Sequence, residues 1–300
     1  MKETKRHLQG EMGSGLSFSL FSAVYVVISF VGQTILKSLT DDLFLTTAIG
    51  GLFSIISLIA LLVFFAISRK EKFVLTVGVK GFNPIYLIPA ILLVGGMFFG
   101  LGFVNYLLND FLTGLGLKIP STVIQMTGVW EYLVYVLVLA VCPAVFEEFY
   151  FRGLMLNGIS SGDTKAKDII IPSLVVALCF SVYHGSIVQL IYQFVFGFAL
   201  AVLALKSGSV IPSVIAHFIN NFLVLTFTYL NVNINLYGAL EISLGLLALA
   251  CYALFMIFYN KKSSKSDDDK VRRRSVKTFF AYALVGLVVC LTLIVGNFFA

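Results

Sequence analysis

Residues 130–153 read WEYLVYVLVLAVCPAVFEEFYFRG. The stretch starts as a nearly continuous apolar run, and an apolar run of about 18 residues or more predicts a helix that crosses a membrane. Its second half holds Glu147, Glu148 and Arg152, after which the apolar pattern resumes as LML. The segment therefore predicts a membrane helix that keeps three formal charges close together, and it raises the question of what those charges do.

The composition of the whole chain is that of a membrane protein. Of its 300 residues, 59% are hydrophobic and 12% are charged, and the mean hydropathy is +0.98. Soluble globular chains carry about 25% charged residues. The apolar runs are continuous, whereas transmembrane barrels are built from alternating strands of about ten residues. The sequence predicts an all-α, polytopic transmembrane helical bundle without a large soluble domain.

Nine segments are predicted to be helical, and they show no internal repeat. Only Gly185 and Ser186 separate the fifth segment from the sixth, so these two are expected to pair as a hairpin, whether or not each spans fully. The nine segments are 14–37, 44–68, 84–108, 130–157, 169–184, 187–205, 209–230, 236–259 and 278–299.

The distribution of basic residues orients the chain. Lysine and arginine collect in cytoplasmic loops. An alternation of nine spans places 18 of the 21 basic residues on one side, with Lys37 and Lys118 on the other and Arg152 inside a span. This bias predicts a cytoplasmic N-terminus and a C-terminus outside. It also explains the net charge of +6 through contact with anionic membrane lipid, so no nucleic-acid partner is expected.

The three charges of the fourth segment are not equivalent. Each ionised side chain near the middle of a bilayer costs about 2.5–3.5 kcal/mol on insertion scales, so partners are expected. Glu148 and Arg152 are four residues apart, share a helix face and can form an ion pair. Glu147 is turned about 100° away from that face. A buried salt bridge that only fixes helix packing would account for Glu148 and Arg152 but would leave Glu147 unexplained.

Two later segments contain further polar pairs. FSVYHG places Phe180 and His184 four residues apart, and HFINNF does the same for His217 and Asn221. Taken alone, a membrane histidine is often only an interhelical hydrogen-bonding residue. Together with a glutamate, these groups can activate water, because a carboxylate acts as general base while histidine and asparagine assist it or stabilise an oxyanion. No serine or cysteine stands at a comparable position, so the pattern favours hydrolysis by water over a covalent nucleophile.

The three motifs also carry a family resemblance. EEFYFR fits E-E-x-x-x-R, FSVYH fits F-x-x-x-H and HFINN fits H-x-x-x-N, and in this order they resemble the CPBP family of intramembrane proteases, the CAAX-protease and bacteriocin-processing group also called Abi. The resemblance covers roughly residues 130–230. It implies a four-helix catalytic core between N-terminal transmembrane helices, about three, in 1–129 and C-terminal transmembrane helices in 231–300, with a charged cytoplasmic loop at 260–277.

The resemblance implies a role for each matching residue. Glu147 would hold and deprotonate the water, with His184 as its partner. His217 and Asn221 would stabilise the oxyanion of the tetrahedral intermediate. Three supporting residues would orient or pack against these four, and they are Glu148, Arg152 and Phe180.

The resemblance leaves the metal question open at this point. Members of the family are often labelled metalloproteases, and Glu147, His184 and His217 are candidates for three zinc ligands. The chain contains no H-E-x-x-H motif. Activation of water by glutamate needs no cofactor, and that mechanism is the preferred hypothesis.

Helix lengths predict the depth of the site and reveal one conflict. At about 1.5 Å per residue, Glu147 lies roughly 15 Å and His217 roughly 12 Å from the cytoplasmic ends of their segments. His184 lies roughly 22 Å from the start of its segment. A tilted fifth helix, or one that starts inside the membrane, would remove the conflict. The prediction is a wet cavity that opens to the cytoplasm.

The substrate is less clear from the sequence. Family members include proteases that trim prenylated CAAX proteins, and bacterial relatives are linked to peptide maturation and bacteriocin self-immunity. The short loops favour a bacterial cell membrane and a membrane-associated protein or peptide as substrate. One rival is a non-catalytic membrane scaffold or self-immunity factor. A transporter with a proton relay is another, but it predicts symmetry between the two halves, and none is visible.

Overall fold

The computed structural model of the protein describes residues 10–70, 72–117, 119, 124–160, 165–232, 238–259 and 275–296. Within these ranges the regular structure is helical, with no strand. Among the described residues, nine helices are long and apolar enough to cross a membrane, which confirms the predicted all-α bundle. They are α1 (Gly10–Leu39), α2 (Leu43–Arg69), α3 (Pro84–Gly114), α4 (Val129–Ile159), α5 (Ala166–Tyr183), α6 (Leu190–Ser207), α7 (Ile211–Tyr229), α8 (Ala239–Phe258) and α9 (Val276–Gly296).

The helix ends differ from the predicted ends by a few residues. The largest difference is in α3, which continues to Gly114, although its apolar run fades near residue 108. Its last turns contain Asn109 and Asp110, which are polar but continue the helix. A short helix, Phe73–Thr76, was not predicted. The charged loop predicted at 260–277 lies outside the described residues as far as residue 274, and so does Lys118.

The first and last helices pack against each other through small residues. A Cβ atom at Gly15 of α1 would overlap the backbone oxygen of Phe279 in α9. Small residues allow this close backbone approach between membrane helices. The start of α1 also contacts α4, because the Ser14 hydroxyl donates to the carbonyl of Met155 at 3.1 Å. The N-terminal and C-terminal helices therefore pack together beside the segment that carries the glutamates.

The helix that holds the glutamates is irregular on both sides of them. In α4, the π-helical segments Val136–Val141 and Phe149–Leu156 flank the α-helical segment Cys142–Glu148. Pro143 lies at the start of that α-helical segment, and a proline lacks the N–H that an α-helix would direct at the carbonyl four residues earlier. Single π turns inside helices occur often at functional sites. The irregularity thus coincides with the polar residues of α4.

Helices α5 and α6 form the predicted hairpin. They pack along each other and are joined by residues 184–189. Gly185 in this turn has a φ of +65°, a conformation that glycine adopts without strain. The hairpin places His184 at its tip and brings the middle of α6 against α4.

Candidate active site

The ion pair predicted from the spacing of Glu148 and Arg152 is present. Arg152 Nη1 donates to Glu148 Oε1 at 2.7 Å, and both side chains are buried. Arg152 Nη2 donates to the carbonyl of Gly197 in α6 at 3.0 Å. Its guanidinium also lies 4.4 Å from the centre of the Phe180 ring, a cation–π contact. Arg152 therefore connects α4, α5 and α6 around the carboxylate that it neutralises.

His217 of α7 lies between the two glutamates. Its Nδ1 is 2.9 Å from Glu148 Oε1, within hydrogen-bond distance. Its Nε2 is 3.9 Å from Glu147 Oε2, which is too long for a hydrogen bond. Because Glu148 as a carboxylate only accepts, Nδ1 carries the proton of this bond and Nε2 is the nitrogen directed at Glu147. The sequence had paired Glu148 with Arg152 alone, so this second partner was missed.

Glu147 is buried with one oxygen left over. Only 5% of the residue is exposed. Its Oε1 accepts from the Tyr183 hydroxyl at 3.4 Å. Its Oε2 is buried and has no hydrogen-bond partner among the described residues. Buried polar atoms in folded proteins nearly always have a partner, so each exception needs an explanation.

His184 is held by the backbone of its own helix. Its Nδ1 lies 2.7 Å from the carbonyl of Phe180, and a carbonyl only accepts, so Nδ1 carries the hydrogen. In the neutral ring, Nε2 then has the free lone pair. The Phe180 ring contacts both histidines, with its centre 4.6 Å from that of His184 and 5.9 Å from that of His217. Phe180 thus packs between the two histidines and faces Arg152.

The depth conflict at His184 disappears in the structure. Ile159 near the end of α4 lines the same small cavity as Pro172 of α5. Ile159 and Pro172 therefore lie at a common level. Pro172 is six residues after the start of α5, so at about 1.5 Å per residue α5 begins roughly 9 Å beyond that level. Glu147 lies 12 residues before Ile159, and His184 lies 12 residues after Pro172. Both are roughly 18 Å from the common level. The value of 22 Å was misleading because it was counted from a helix start that lies further out.

Asn221 faces α4 through its amide. Its Nδ2 donates to the carbonyl of Leu139 at 3.3 Å. Its Oδ1 accepts from Asn220 Nδ2 at 3.2 Å. A primary amide has two N–H groups, so one of them is left for a further acceptor. His217 and Asn221 are four residues apart in α7 and share a helix face, as the motif predicted.

Sequence reasoning missed the groups that hold the motif residues. Tyr183 is adjacent to His184 in FSVYH, and its aromatic character gave no sign that its hydroxyl reaches Glu147. Gly197 takes part through its backbone, which no side-chain pattern reveals. Asn220 stands beside Asn221 in HFINNF, and the repeated asparagine is the one signal that was available for it.

The proposed zinc ligands do not form a metal site in this structure. Among the described residues, no three histidine, cysteine, aspartate or glutamate side chains are placed to hold one metal ion. His217 already uses Nδ1 for Glu148. His184 uses Nδ1 for the carbonyl of Phe180. Each ring therefore keeps Nε2, and a histidine that ligates zinc commonly donates its other N–H in this way. Glu147, His184 and His217 are nevertheless not grouped around one position that could hold a metal ion, so no step is assigned to a metal.

Comparison with known proteins identifies the segment that contains these residues. Residues 129–223 match the family model described as type II CAAX prenyl endopeptidase Rce1-like. The matched segment runs from the start of α4 into α7 and contains all seven predicted site residues. No curated protein and no solved structure matches the chain.

Proposed function

We propose that residues 129–223, which match the model of the Rce1-like type II CAAX prenyl endopeptidases and carry the motifs of the CPBP family, form a protease domain of that kind and that the protein is an intramembrane endopeptidase. It hydrolyses a peptide bond in a membrane-associated protein or peptide by means of a water molecule that Glu147 and His184 activate.

The proposed chemistry uses the polar atoms of the site that take no part in the described hydrogen bonds. A water held at Glu147 Oε2 loses a proton to the carboxylate, assisted by His184 Nε2, and its oxygen attacks the carbonyl carbon of the scissile bond. The resulting oxyanion accepts hydrogen bonds from His217 Nε2, when that ring carries both protons, and from the free N–H of Asn221. The carbon–nitrogen bond then breaks, and the proton passes to the departing amine.

The burial of Glu147 without a cationic partner at hydrogen-bond distance is the observation that carries the proposal, because its Oε2 has no described hydrogen-bond partner and lies 3.9 Å from His217 Nε2. A scaffold that used these residues only for packing would leave this buried oxygen without a partner, which is unfavourable. A hydrolase uses the same oxygen to hold its water. Glu148 Oε2 and Arg152 Nε are also buried without a described hydrogen-bond partner, but Glu148 Oε1 accepts from Arg152 Nη1 and lies 2.9 Å from His217 Nδ1, so these two residues support packing and orientation.

The substrate class follows from the surroundings of the site. Helices long enough to cross a membrane surround the carboxylates, so an integral membrane protein acts on a substrate that lies in or at the membrane. Glu147 and His217 are buried, whereas His184 and Asn221 are only partly covered. Substrate therefore enters beside the tip of the α5–α6 hairpin, at the end of α5 away from the expected cytoplasmic side, and this differs from the cytoplasmic opening that helix lengths predicted.

The test compares three matched proteins in the same membrane. Wild type, Glu147→Gln and the control Glu131→Gln, which changes a glutamate at the other end of α4, are expressed at equal levels. Peptides from membranes and medium are compared by mass spectrometry, and an internally quenched prenylated CAAX peptide is offered to each purified protein. Loss of the general base is expected to reduce cleavage by about 10²–10⁴-fold, with Glu131→Gln unchanged.

Two results of this comparison have distinct meanings. A product that depends on Glu147 among membrane peptides, with the prenylated peptide uncut, supports a protease for other substrates. Equal peptide pools, together with a prenylated peptide that neither wild type nor Glu147→Gln cuts, would favour the non-catalytic scaffold.

A further inference from the structure

A chain of hydrogen bonds runs from α6 through α7 to α4. The Tyr192 hydroxyl donates to Asn220 Oδ1 at 2.8 Å. Asn220 Nδ2 donates to Asn221 Oδ1 at 3.2 Å, and Asn221 Nδ2 donates to the carbonyl of Leu139 at 3.3 Å. Tyr192 and Asn220 are buried, so their polar atoms need partners inside the protein.

Leu139 fixes the direction of every bond in this chain. A backbone carbonyl only accepts, so Asn221 has to present its NH₂ group to Leu139 and its oxygen to Asn220. Asn220 then has to direct its own NH₂ group at Asn221 and its oxygen at Tyr192. With either amide turned over, two acceptors or two donors would face each other.

Pro143 deprives α4 of one backbone donor. An N–H at residue 143 would donate to the carbonyl of Leu139 in an α-helical turn and to that of Val138 in a π-helical turn, and proline has none. Leu139 lies in the π-helical segment Val136–Val141, and its carbonyl accepts from Asn221 of α7.

We propose that Asn220 and Tyr192 are positioning residues for Asn221, holding its amide so that the remaining N–H points at the oxyanion. This inference rests on the proposed function, in which Asn221 is an oxyanion donor. An amide free to turn over would present its oxygen to the developing negative charge for part of the time, and electrostatic stabilisation requires a donor that is already oriented.

The first test measures the amide itself and needs no substrate. Protein labelled with [¹⁵N]asparagine is held in detergent micelles, and exchange of the side-chain amide protons with water is followed by NMR. Protons of Asn221 are expected to exchange about tenfold more slowly than those of the exposed Asn231 in the same sample, because a hydrogen bond has to open first. Asn220→Asp, which keeps the acceptor for Tyr192 but loses the donor to Asn221, removes that protection.

The second test measures cleavage of the quenched prenylated CAAX peptide, or of the peptide that the wild-type comparison identifies. Asn220→Asp is expected to lower kcat by about 10- to 100-fold with little change in KM. In an Asn221→Ala background it is expected to lower kcat no further, because a residue that acts through Asn221 has nothing left to position. Tyr192→Phe is expected to give a smaller loss of the same kind.

The matched control is Tyr252→Phe. The Tyr252 hydroxyl is also buried and donates to a backbone carbonyl of α6, that of Ala199, at 2.6 Å. Its loss is expected to leave both the exchange of Asn221 and kcat unchanged. Unaltered Asn221 exchange in Asn220→Asp, or an equal fall of kcat with and without Asn221, would overturn the positioning role. Cleavage that survives Glu147→Gln would instead refute the proposed hydrolysis, and the exchange data would still decide the orientation of the amide.

Discussion

His217 holds Glu148 through Nδ1 at 2.9 Å and faces Glu147 through Nε2 at 3.9 Å. One ring thus separates two adjacent glutamates into two environments. Each carboxylate keeps a buried Oε2 without a described hydrogen-bond partner, but Glu148 Oε1 accepts from Arg152 and His217, whereas Glu147 Oε1 accepts only from the Tyr183 hydroxyl at 3.4 Å. The pair that looks alike in the sequence therefore consists of a carboxylate with a cationic partner and one without a cationic partner at hydrogen-bond distance. The proposed division of labour rests on this difference.

Removal of the arginine is expected to destabilise the fold. Arg152→Met leaves Glu148 as a buried charge without its cationic partner, and breaking a buried ion pair costs about 3–5 kcal/mol. Unfolding of the purified protein in micelles measures this loss. The double variant Glu148→Gln with Arg152→Met is expected to be more stable than Arg152→Met alone, because it removes the stranded charge.

The matched control for this prediction is Glu131→Gln on the same helix, which is expected to change the stability little. If Arg152→Met were as stable as wild type, the ion pair between Glu148 and Arg152 would not stabilise the fold.

Loss of the tyrosine hydroxyl beside Glu147 is expected to slow catalysis without unfolding the protein. Tyr183→Phe keeps the buried ring but removes the donor to Glu147 Oε1, so the carboxylate is less firmly oriented. A hydrogen bond contributes about 1 kcal/mol net, which corresponds to a loss of about three- to tenfold in kcat. KM is expected to stay the same.

Tyr25→Phe is the control for the ring cluster. Tyr25 lies in α1 with its ring centre 5.7 Å from that of Tyr183. Its variant is expected to keep the wild-type kcat. Equal losses in both variants would assign Tyr183 to packing rather than to the orientation of Glu147.

The sequence predicted features that depend on local spacing. The nine apolar runs correspond to nine helices of the described residues, because a continuous apolar run of this length is enough to predict a membrane helix. The bond between Glu148 and Arg152 followed from their four-residue separation. The C-terminal end of α3 did not follow, because its last turns are polar yet helical.

Contacts between distant helices could not be predicted in this way. His217 is 69 residues from Glu148, and nothing in either motif says which glutamate it meets. The hydrogen bond from Arg152 ends on a backbone carbonyl of Gly197, which has no side-chain signature. The depth of His184 was misjudged because the level of a helix start depends on how α5 packs beside α4.

Purified enzyme is expected to contain no stoichiometric zinc. The described histidine, cysteine, aspartate and glutamate side chains do not form a three-ligand group, and the proposed activation of water by Glu147 and His184 needs no metal. Metal analysis and cleavage after chelation and buffer exchange test this, with a chelated sample resupplied with zinc as the control. Activity that is lost on chelation and returns only with zinc would reverse the mechanism.

The orientation of the bundle is expected to put the start of α1 in the cytoplasm. Apart from Arg152, the described basic residues lie at the end where α1 begins, with Lys37 at the other, and positive residues favour the cytoplasmic side. The test uses a protein without its four cysteines, into which Lys80→Cys or Lys37→Cys is introduced at exposed positions of opposite ends. In intact cells, a membrane-impermeant thiol reagent is expected to label Lys37→Cys only, and permeabilised cells serve as the control for both. Labelling of Lys80→Cys from outside would invert the protein and move the proposed substrate entrance to the opposite side of the membrane.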